Sequence, residues 1–257
     1  MTYWQEQQLK LQNEPYSKQL KRIEKQLTTE YSRVAKEVIS DCEDLYLEML
    51  EDGEISYSQL MRYDRYYRLN ANINQQLRRL GVREIEFLDT GMNQLYLDIG
   101  SLITGSESWA LINRAFAEEA VKRAWCYDGK TFSDRVWTHM DTLQSTLQQG
   151  LQDCVIKGSD HRKLVRVLRD RFDVAYSDAD RLVRTELNYI QNQAAMRGYL
   201  DAGYTHYMFI SVSDDRICDD CDDLDGQVFA FVDAQEGVNF PPMHPNCRSN
   251  IIGYRED

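Results

Sequence analysis

The most informative segments of this chain lie near its C-terminus and read SDDRICDDC over residues 213–221, LDGQVF over 224–229 and PPMHPNCRS over 241–249. Cys218 and Cys221 form a C-x2-C pair, His244 and Cys247 form an H-x2-C pair, and the segment 222–243 separates the two pairs. Three thiolates and one imidazole are a ligand set that suits tetrahedral Zn²⁺. The spacing therefore predicts a structural zinc site that staples a small domain.

Other interpretations of the two pairs stay open from the residues alone. The loop is rich in aspartates, whose negative field favours a bound dication and would raise the pKa values of metal-free thiols. In the plainer interpretation Cys218 and Cys221 are reduced, partly buried thiols, and His244 caps a turn between prolines. A thioredoxin-type redox pair is disfavoured because the sequence around the cysteines lacks a βαβ pattern.

The segments beside the cysteines have the composition of short strands. Residues 204–212 are rich in β-forming residues and predict a strand that leads into the cysteine loop. Gly226 permits a turn, after which residues 227–232 predict the partner strand, and residues 251–254 predict a short final strand. The C-terminal part is thus expected to be a small α+β domain, with His206 on a strand face and not a fifth ligand.

The rest of the chain predicts helices, because no proline occurs between Pro15 and Pro241. Apolar residues recur at three- and four-residue steps, as in an amphipathic helix. The predicted helices cover about 16–50, from a cap at Ser56 or Ser58 to Gly81, 82–100, 106–126, 133–158, 160–172 and 177–203. The fold class is mainly α, with an elongated helical region at 1–158 and a second domain at 159–257, divided into helices 159–202 and a small β and zinc module at 203–257.

Composition and charge indicate the cellular compartment and the kinds of partner to expect. The N-terminus does not resemble a signal peptide, no apolar run is long enough to span a bilayer, and the six cysteines do not form a dense disulfide framework. We therefore expect synthesis in a reducing cytoplasm and no membrane partner. Residues 203–257 carry 11 acidic and 3 basic residues, so most of the net charge of −12 lies there. This part should repel nucleic acid and could dock on a basic partner.

Contact with double-stranded DNA would have to come from the helical part. Arg162, Arg166 and Arg169 lie at i, i+4 and i+7 on one side of a predicted helix and could follow a row of phosphates. Charged helix faces are common, however, and a solvated face with pairing to nearby aspartates explains the same residues.

Taken in order, the motifs D-x-R-x-C-x-x-C, L-D-G-x-V-F and P-P-x-H-P-x-C-R-S resemble the C-terminal domain of the phage head morphogenesis family, the minor head proteins of the Mu F type. The resemblance begins near residue 159 and includes Arg184-Thr185-Glu186 and the segment from Ala194 through Tyr199 to Gly203. It implies a structural role for the motif residues outside the metal set, which are Arg184, Glu186, Asp214, Arg216, Asp225, Gly226, Pro245 and Arg248. Arg184 and Glu186 are two apart on a helix, so we expect each to anchor a different neighbour.

The resemblance implies a minor head (minor capsid) protein of the virion that is not an enzyme. It would act in head assembly with the portal protein and in DNA packaging or delivery, and the scaffold and major capsid proteins are further candidate partners. The competing hypothesis is a zinc-dependent hydrolase or nucleic-acid-modifying enzyme that uses the Cys/His cluster. Catalytic zinc normally keeps an open position, whereas four ligands are available here. The H-x-E signature of zinc deaminases is also absent, since Pro245 and Asn246 follow His244.

Overall fold

A computed structural model of the chain describes residues 3–51, 64–157, 159–212, 214 and 216–255. The predicted cap at Ser56 or Ser58 lies outside these residues, as do Gly158 and Ser213. The fold is mainly α with one small sheet, as the sequence predicts. Its elements are α1 (Tyr3–Glu51), α2 (Asp64–Thr104), α3 (Glu107–Ile112), α4 (Arg114–Lys122), α5 (Phe132–Ile156), α6 (His161–Asp201), β1 (His206–Ile210), α7 (Asp219–Leu224), β2 (Val228–Ala230) and β3 (Asn250–Tyr254).

The chain forms two compact units. Unit 1 contains Met1–Glu24, Phe87–Phe132 and Arg181–Asp257, and unit 2 contains Lys25–Glu86 and Ser133–Asp180. Each unit draws on residues before and after position 158. The long helices α1, α2 and α6 each contribute residues to both units.

The core of unit 2 is built from apolar helix faces, in agreement with the stripe predicted for α1. Leu27, Tyr31, Val34 and Val38 recur at steps of three and four and are all buried. The stripe continues to Met49, close to the end of the helix, and that side chain is buried as well.

Two predicted helix boundaries in α2 and α6 are wrong. α2 continues through Gly81, where a Cβ atom would lie 2.9 Å from Cζ3 of Trp137, so this glycine serves a close helix contact and not a stop. α6 is one helix of 41 residues that continues through the predicted cap at Ser177. The buried alanines Ala175 and Ala179 carry its apolar face past Ser177 without interruption.

The first helix begins at Tyr3 and not near residue 16, and it includes Pro15. Its core positions before Ile23 are Gln12, Pro15 and Gln19, with both glutamines buried, so hydrophobic periodicity does not reveal them. The structure thus extends α1 with a polar inner face.

The helix predicted over residues 106–126 is divided in two at Asn113. Trp109 is buried as expected, but Ile112 is 74% exposed and Asn113 is buried. The predicted face that included Ile112 and Phe116 is therefore wrong by one residue, since the buried face follows four-residue steps from Trp109 through Asn113 and Ala117 to Val121.

The sheet has strand order β2-β1-β3, and both pairs are antiparallel. In the register, Tyr207 of β1 lies opposite Phe229 of β2 and Gly253 of β3. All three strands fall within the predicted segments, apart from a one-residue extension of β3 to Asn250. Tyr207 and Phe209 are fully buried, so one face of β1 contributes to the core of unit 1.

Candidate metal centre

Cys218 and Cys221 are brought together by the start of α7. Cys218 precedes the helix in an extended conformation, and its carbonyl oxygen accepts hydrogen bonds from the backbone N–H groups of Cys221 and Asp222. The negative charges of the aspartates in the first turn stabilise this helix, because they interact favourably with the positive end of its dipole. One helical turn therefore places the two sulfurs on the same side of the loop.

The second pair is positioned by a tight turn over residues 244–247. The backbone N–H of Cys247 donates to the carbonyl oxygen of His244 over 3.1 Å, and Asn246 has a φ of 61°. Proline followed by a residue with positive φ is the signature of a type II turn, and asparagine is one of the few side-chain-bearing residues that adopts that φ. The sequence H-P-N-C thereby brings His244 and Cys247 close to each other.

Three of the four predicted ligands converge on one centre, and the fourth lies beside them. Nε2 of His244 lies 3.2 Å from Sγ of Cys218 and 3.6 Å from Sγ of Cys221, and the three donor atoms lie within 4.8 Å of one another. Sγ of Cys247 lies 4.0 Å from Sγ of Cys221 but is outside that three-residue group. A tetrahedral zinc ion separates two sulfurs by about 3.8 Å, and a sulfur from a nitrogen by about 3.5 Å. The donor separations therefore fit a zinc-sized ion.

The surroundings of the cluster are apolar on one side and open on the other. Cys221 and Cys247 are 4% and 2% exposed and pack with Phe209, whereas His244 is exposed. Burial raises the pKa of the Cys221 thiol to about 12, so without a metal this thiol is neutral. A bound dication would displace its proton. Nδ1 of His244 lies 2.8 Å from the carbonyl oxygen of Pro245, and a hydrogen bond donated there leaves Nε2 free to face the sulfurs.

Several motif residues hold the two loops that carry the cluster. Asp225 accepts a 2.8 Å hydrogen bond from the backbone N–H of Ser211. Arg248 donates two hydrogen bonds of 2.6 Å to the two carboxylate oxygens of Asp214, and Arg216 lies 3.6 Å from the same carboxylate. The hydrogen bonds from Arg248 hold the pKa of Asp214 well below its ordinary value. The bidentate pair of Arg248 and Asp214 ties the loop before Cys218 to the residue that follows Cys247.

Gly226 marks the turn into β2, as its sequence context predicts. Its φ of 75° lies in the left-handed region that favours glycine, and its N–H donates to the carbonyl oxygen of Phe209 over 2.8 Å. The turn aligns β2 with β1 directly after the cysteine helix.

Arg184 and Glu186 contact different elements. Arg184 forms an ion pair with Glu24 of α1. Glu186 is buried and accepts a 3.0 Å hydrogen bond from the indole N–H of Trp125, whose ring stacks on Tyr189. Both residues therefore fasten α6 to other parts of unit 1.

The sequence pattern does not reveal a row of polar residues along the last part of α6. Thr185, Asn188 and Asn192 are buried and make hydrogen bonds to backbone atoms of residues 246–251. Their spacing of three and four residues places them on one helix face. Such a row of buried polar residues opposite a loop leaves no hydrophobic period, so periodicity alone does not indicate it.

Arg162, Arg166 and Arg169 belong to unit 2 and not to the unit that holds the cluster. All three are exposed on α6. Among the described residues no ion pair to any of them is found within 4.0 Å. The pairing with nearby aspartates that the plainer interpretation required is therefore not formed in the described part of the chain.

The fold and cluster together define a helical protein that carries a small C-terminal Cys/His module. Residues 145–252 match the family described as Phage Mu protein F like protein. This match confirms the resemblance found in the motifs and moves its start from residue 159 to residue 145, within the second half of α5. No curated protein and no solved structure matches the chain.

The length and hydropathy of the helices were compared with those of a membrane-spanning helix. No helix in the described ranges is both long and apolar enough to cross a bilayer.

Proposed function

We propose that this chain is a minor head (minor capsid) protein of a phage virion, which acts within the head in assembly with the portal protein and in DNA packaging or delivery. The observation that carries the proposal is the family match over residues 145–252, which includes all four Cys/His positions and the α6 motif. The scaffold and major capsid proteins are further candidate partners. The role is structural and not enzymatic.

The proposed metal is a structural Zn²⁺ held by Cys218, Cys221, His244 and Cys247. Three donor atoms lie at separations that suit one ion, and Sγ of Cys247 lies 4.0 Å from Sγ of Cys221, close to the sulfur separation about a tetrahedral ion. Bound zinc would join the α7 loop to the 244–247 turn and stabilise the module through both.

The competing enzyme function has less support. A catalytic zinc site needs an open coordination position with a general acid or base beside it. Four protein donors would fill a tetrahedral ion. Asp214, a carboxylate of the loop that precedes Cys218, is engaged by Arg248 and is therefore a poor candidate for a general base.

Metal content tests the zinc proposal directly. Protein purified without chelator should contain close to one equivalent of zinc, and Cys218→Ser should lose most of it. Cys126→Ser is the matched control, because Cys126 is partly exposed and lies in a turn outside the cluster. Less than about half an equivalent in the wild-type protein would rule out a structural zinc site.

Co-expression with the portal protein of the same phage tests the assembly role. We expect the two proteins to co-purify as a complex of defined size. Free protein at every concentration tested would contradict the portal role, although it would leave the family assignment in place.

The DNA contact is tested separately through the exposed arginines. We propose that Arg162, Arg166 and Arg169 contact phosphates, so replacement of all three by glutamine should reduce the salt dependence of DNA retention, by a slope of about 0.9 for each phosphate that is no longer neutralised. Lys18, Lys21 and Lys25 are also exposed at helical spacing, and their triple glutamine variant is the control. Equal slopes for the two variants would leave the arginines as a solvated helix face.

A further inference from the structure

We infer that Thr185, Asn188 and Asn192 of α6 are positioning residues of the metal centre, because they hold the loop that delivers its second ligand pair. The inference rests on the proposed zinc site. It adds a third element, α6, to the two loops that supply the ligands themselves.

Thr185 fixes the turn between His244 and Cys247. Its hydroxyl donates to the carbonyl oxygen of Arg181 over 2.8 Å, so an oxygen lone pair is left to accept the backbone N–H of Asn246 over 3.0 Å. Asn246 is the residue with positive φ, a conformation that is unfavourable for residues with a Cβ atom. The hydrogen bond from its N–H to the buried side chain of Thr185 therefore stabilises the backbone conformation that brings the two ligands together.

Asn188 and Asn192 fix the chain directly after Cys247. Both donate to the carbonyl oxygen of Ser249, over 3.0 and 3.3 Å, and Oδ1 of Asn192 accepts the N–H of Ile251 over 3.0 Å. The carbonyl group of Ser249 and the N–H group of Ile251 lie on the same edge of the extended chain. The side-chain amide of Asn192 therefore forms the same pair of hydrogen bonds that the backbone of a neighbouring strand would form.

The anchored segment also reaches the ligands themselves. Ser249, whose carbonyl oxygen the two asparagines hold, is buried and follows Cys247 by two residues, so the anchored chain begins directly beside the second ligand pair. One α6 face thus orients both the turn that carries His244 and Cys247 and the chain that follows that turn. Partners of this kind orient ligands and commonly change metal affinity when they are removed.

The test compares zinc affinity in full-length variants by competition with a chromophoric chelator. Thr185→Val removes the acceptor for Asn246 while keeping the shape of the side chain, and we expect a loss of zinc affinity of about 10- to 100-fold. Thr185→Ser keeps the hydroxyl and should bind zinc almost as tightly as wild type. Thr142→Val is the matched control, because Thr142 also donates to the carbonyl oxygen four residues earlier but is exposed.

A second readout separates positioning from a general effect on folding. Co²⁺ bound to Cys and His ligands has visible absorption bands that report its coordination, and we expect Thr185→Val to alter them while Thr185→Ser restores them. If Thr185→Val does not fold, Asn188→Ala serves instead, with a smaller loss of affinity because Asn192 still donates to Ser249.

The outcomes distinguish the inference from the proposed function. Wild-type protein without zinc would refute the metal site and the inference with it. Wild-type protein that binds zinc, together with variants of unchanged affinity and unchanged Co²⁺ spectrum, would refute the inference alone. Variants that lower only the stability of the metal-free protein would also refute it, since that result describes a purely structural role.

Discussion

Glu84 of α2 provides a prediction about the stability of unit 2. Its side chain is fully buried, and Oε2 accepts a 2.8 Å hydrogen bond from the hydroxyl of Tyr31. Oε1 has no hydrogen-bond partner among the described residues. Burial raises the pKa of Glu84 from 4.5 to about 7, although the Tyr31 hydrogen bond opposes the shift.

The raised pKa determines how stability depends on pH. Because folded protein binds a proton at Glu84 that unfolded protein has released, stability falls as the pH rises from 4.5 through 7 and is constant above that range. At 1.36 kcal/mol for each unit of pKa, Glu84 lowers the free energy of unfolding by about 2.5 kcal/mol between pH 5 and pH 8. The carboxyl group is thus tolerated when neutral and destabilising when ionised.

Glu84→Gln keeps the acceptor for Tyr31 but cannot ionise. Urea denaturation followed by circular dichroism should show that the variant gains about 2.5 kcal/mol relative to wild type between pH 5 and pH 8. The difference between the two proteins is the relevant quantity, because other groups that titrate, including the cysteines, contribute equally to both.

Glu86→Gln is the matched control for this measurement. Glu86 lies two residues away on the same helix, is half-exposed and pairs with Arg83. Its stability difference from wild type should change little with pH. A Glu84→Gln difference that is the same at both pH values would refute the argument that burial governs this carboxyl group.

Two further predictions concern unit 1. Gln12→Leu removes hydrogen bonds of 2.9 Å to the carbonyl oxygen of Ile251 and 3.0 Å to the hydroxyl of Tyr199, so we expect a loss of about 1–3 kcal/mol in urea denaturation, and wild-type stability would contradict it. Gly100→Ala would place a Cβ atom 2.0 Å from the ring of Trp109, so we expect a loss of about 1–3 kcal/mol or more and a changed tryptophan emission spectrum. An unchanged spectrum would show that the ring does not need to move.

The positions of the strands and the spacing within each pair of candidate ligands were predictable because local sequence carries that information. Gly226 lies at a turn that needs positive φ, and the H-P-N-C turn has proline and asparagine at the positions that a type II turn requires. The spacing of Cys218 and Cys221 is close to one helical turn. Each of these features depends on residues close together in the chain, so spacing and residue type were sufficient.

The errors in the helical part have a common cause in contacts between distant residues. Gly81 and Gly100 lie inside α2 and face tryptophan rings, so they are sites of close packing although isolated glycines resemble helix stops. Gln12 and Gln19 occupy core positions of α1. A helix predicted from the recurrence of apolar residues does not include such polar core positions. The role of each of these residues can be predicted only when the segment of the chain that packs against it is known.

Residues outside the family match also contact the part of the chain that the match covers. The match begins at residue 145, yet the carbonyl oxygen of Ile251 in β3 is bonded by Gln12, and Oδ1 of Asn13 lies 3.3 Å from Nε2 of Gln191 on α6. A fragment restricted to the matched residues would lack these partners from α1 and would expose to water the groups that α1 covers. The start of α1 therefore completes the unit that carries the Cys/His cluster. Metal binding measured on such a fragment would understate the affinity of the whole protein, because folding and metal binding are coupled.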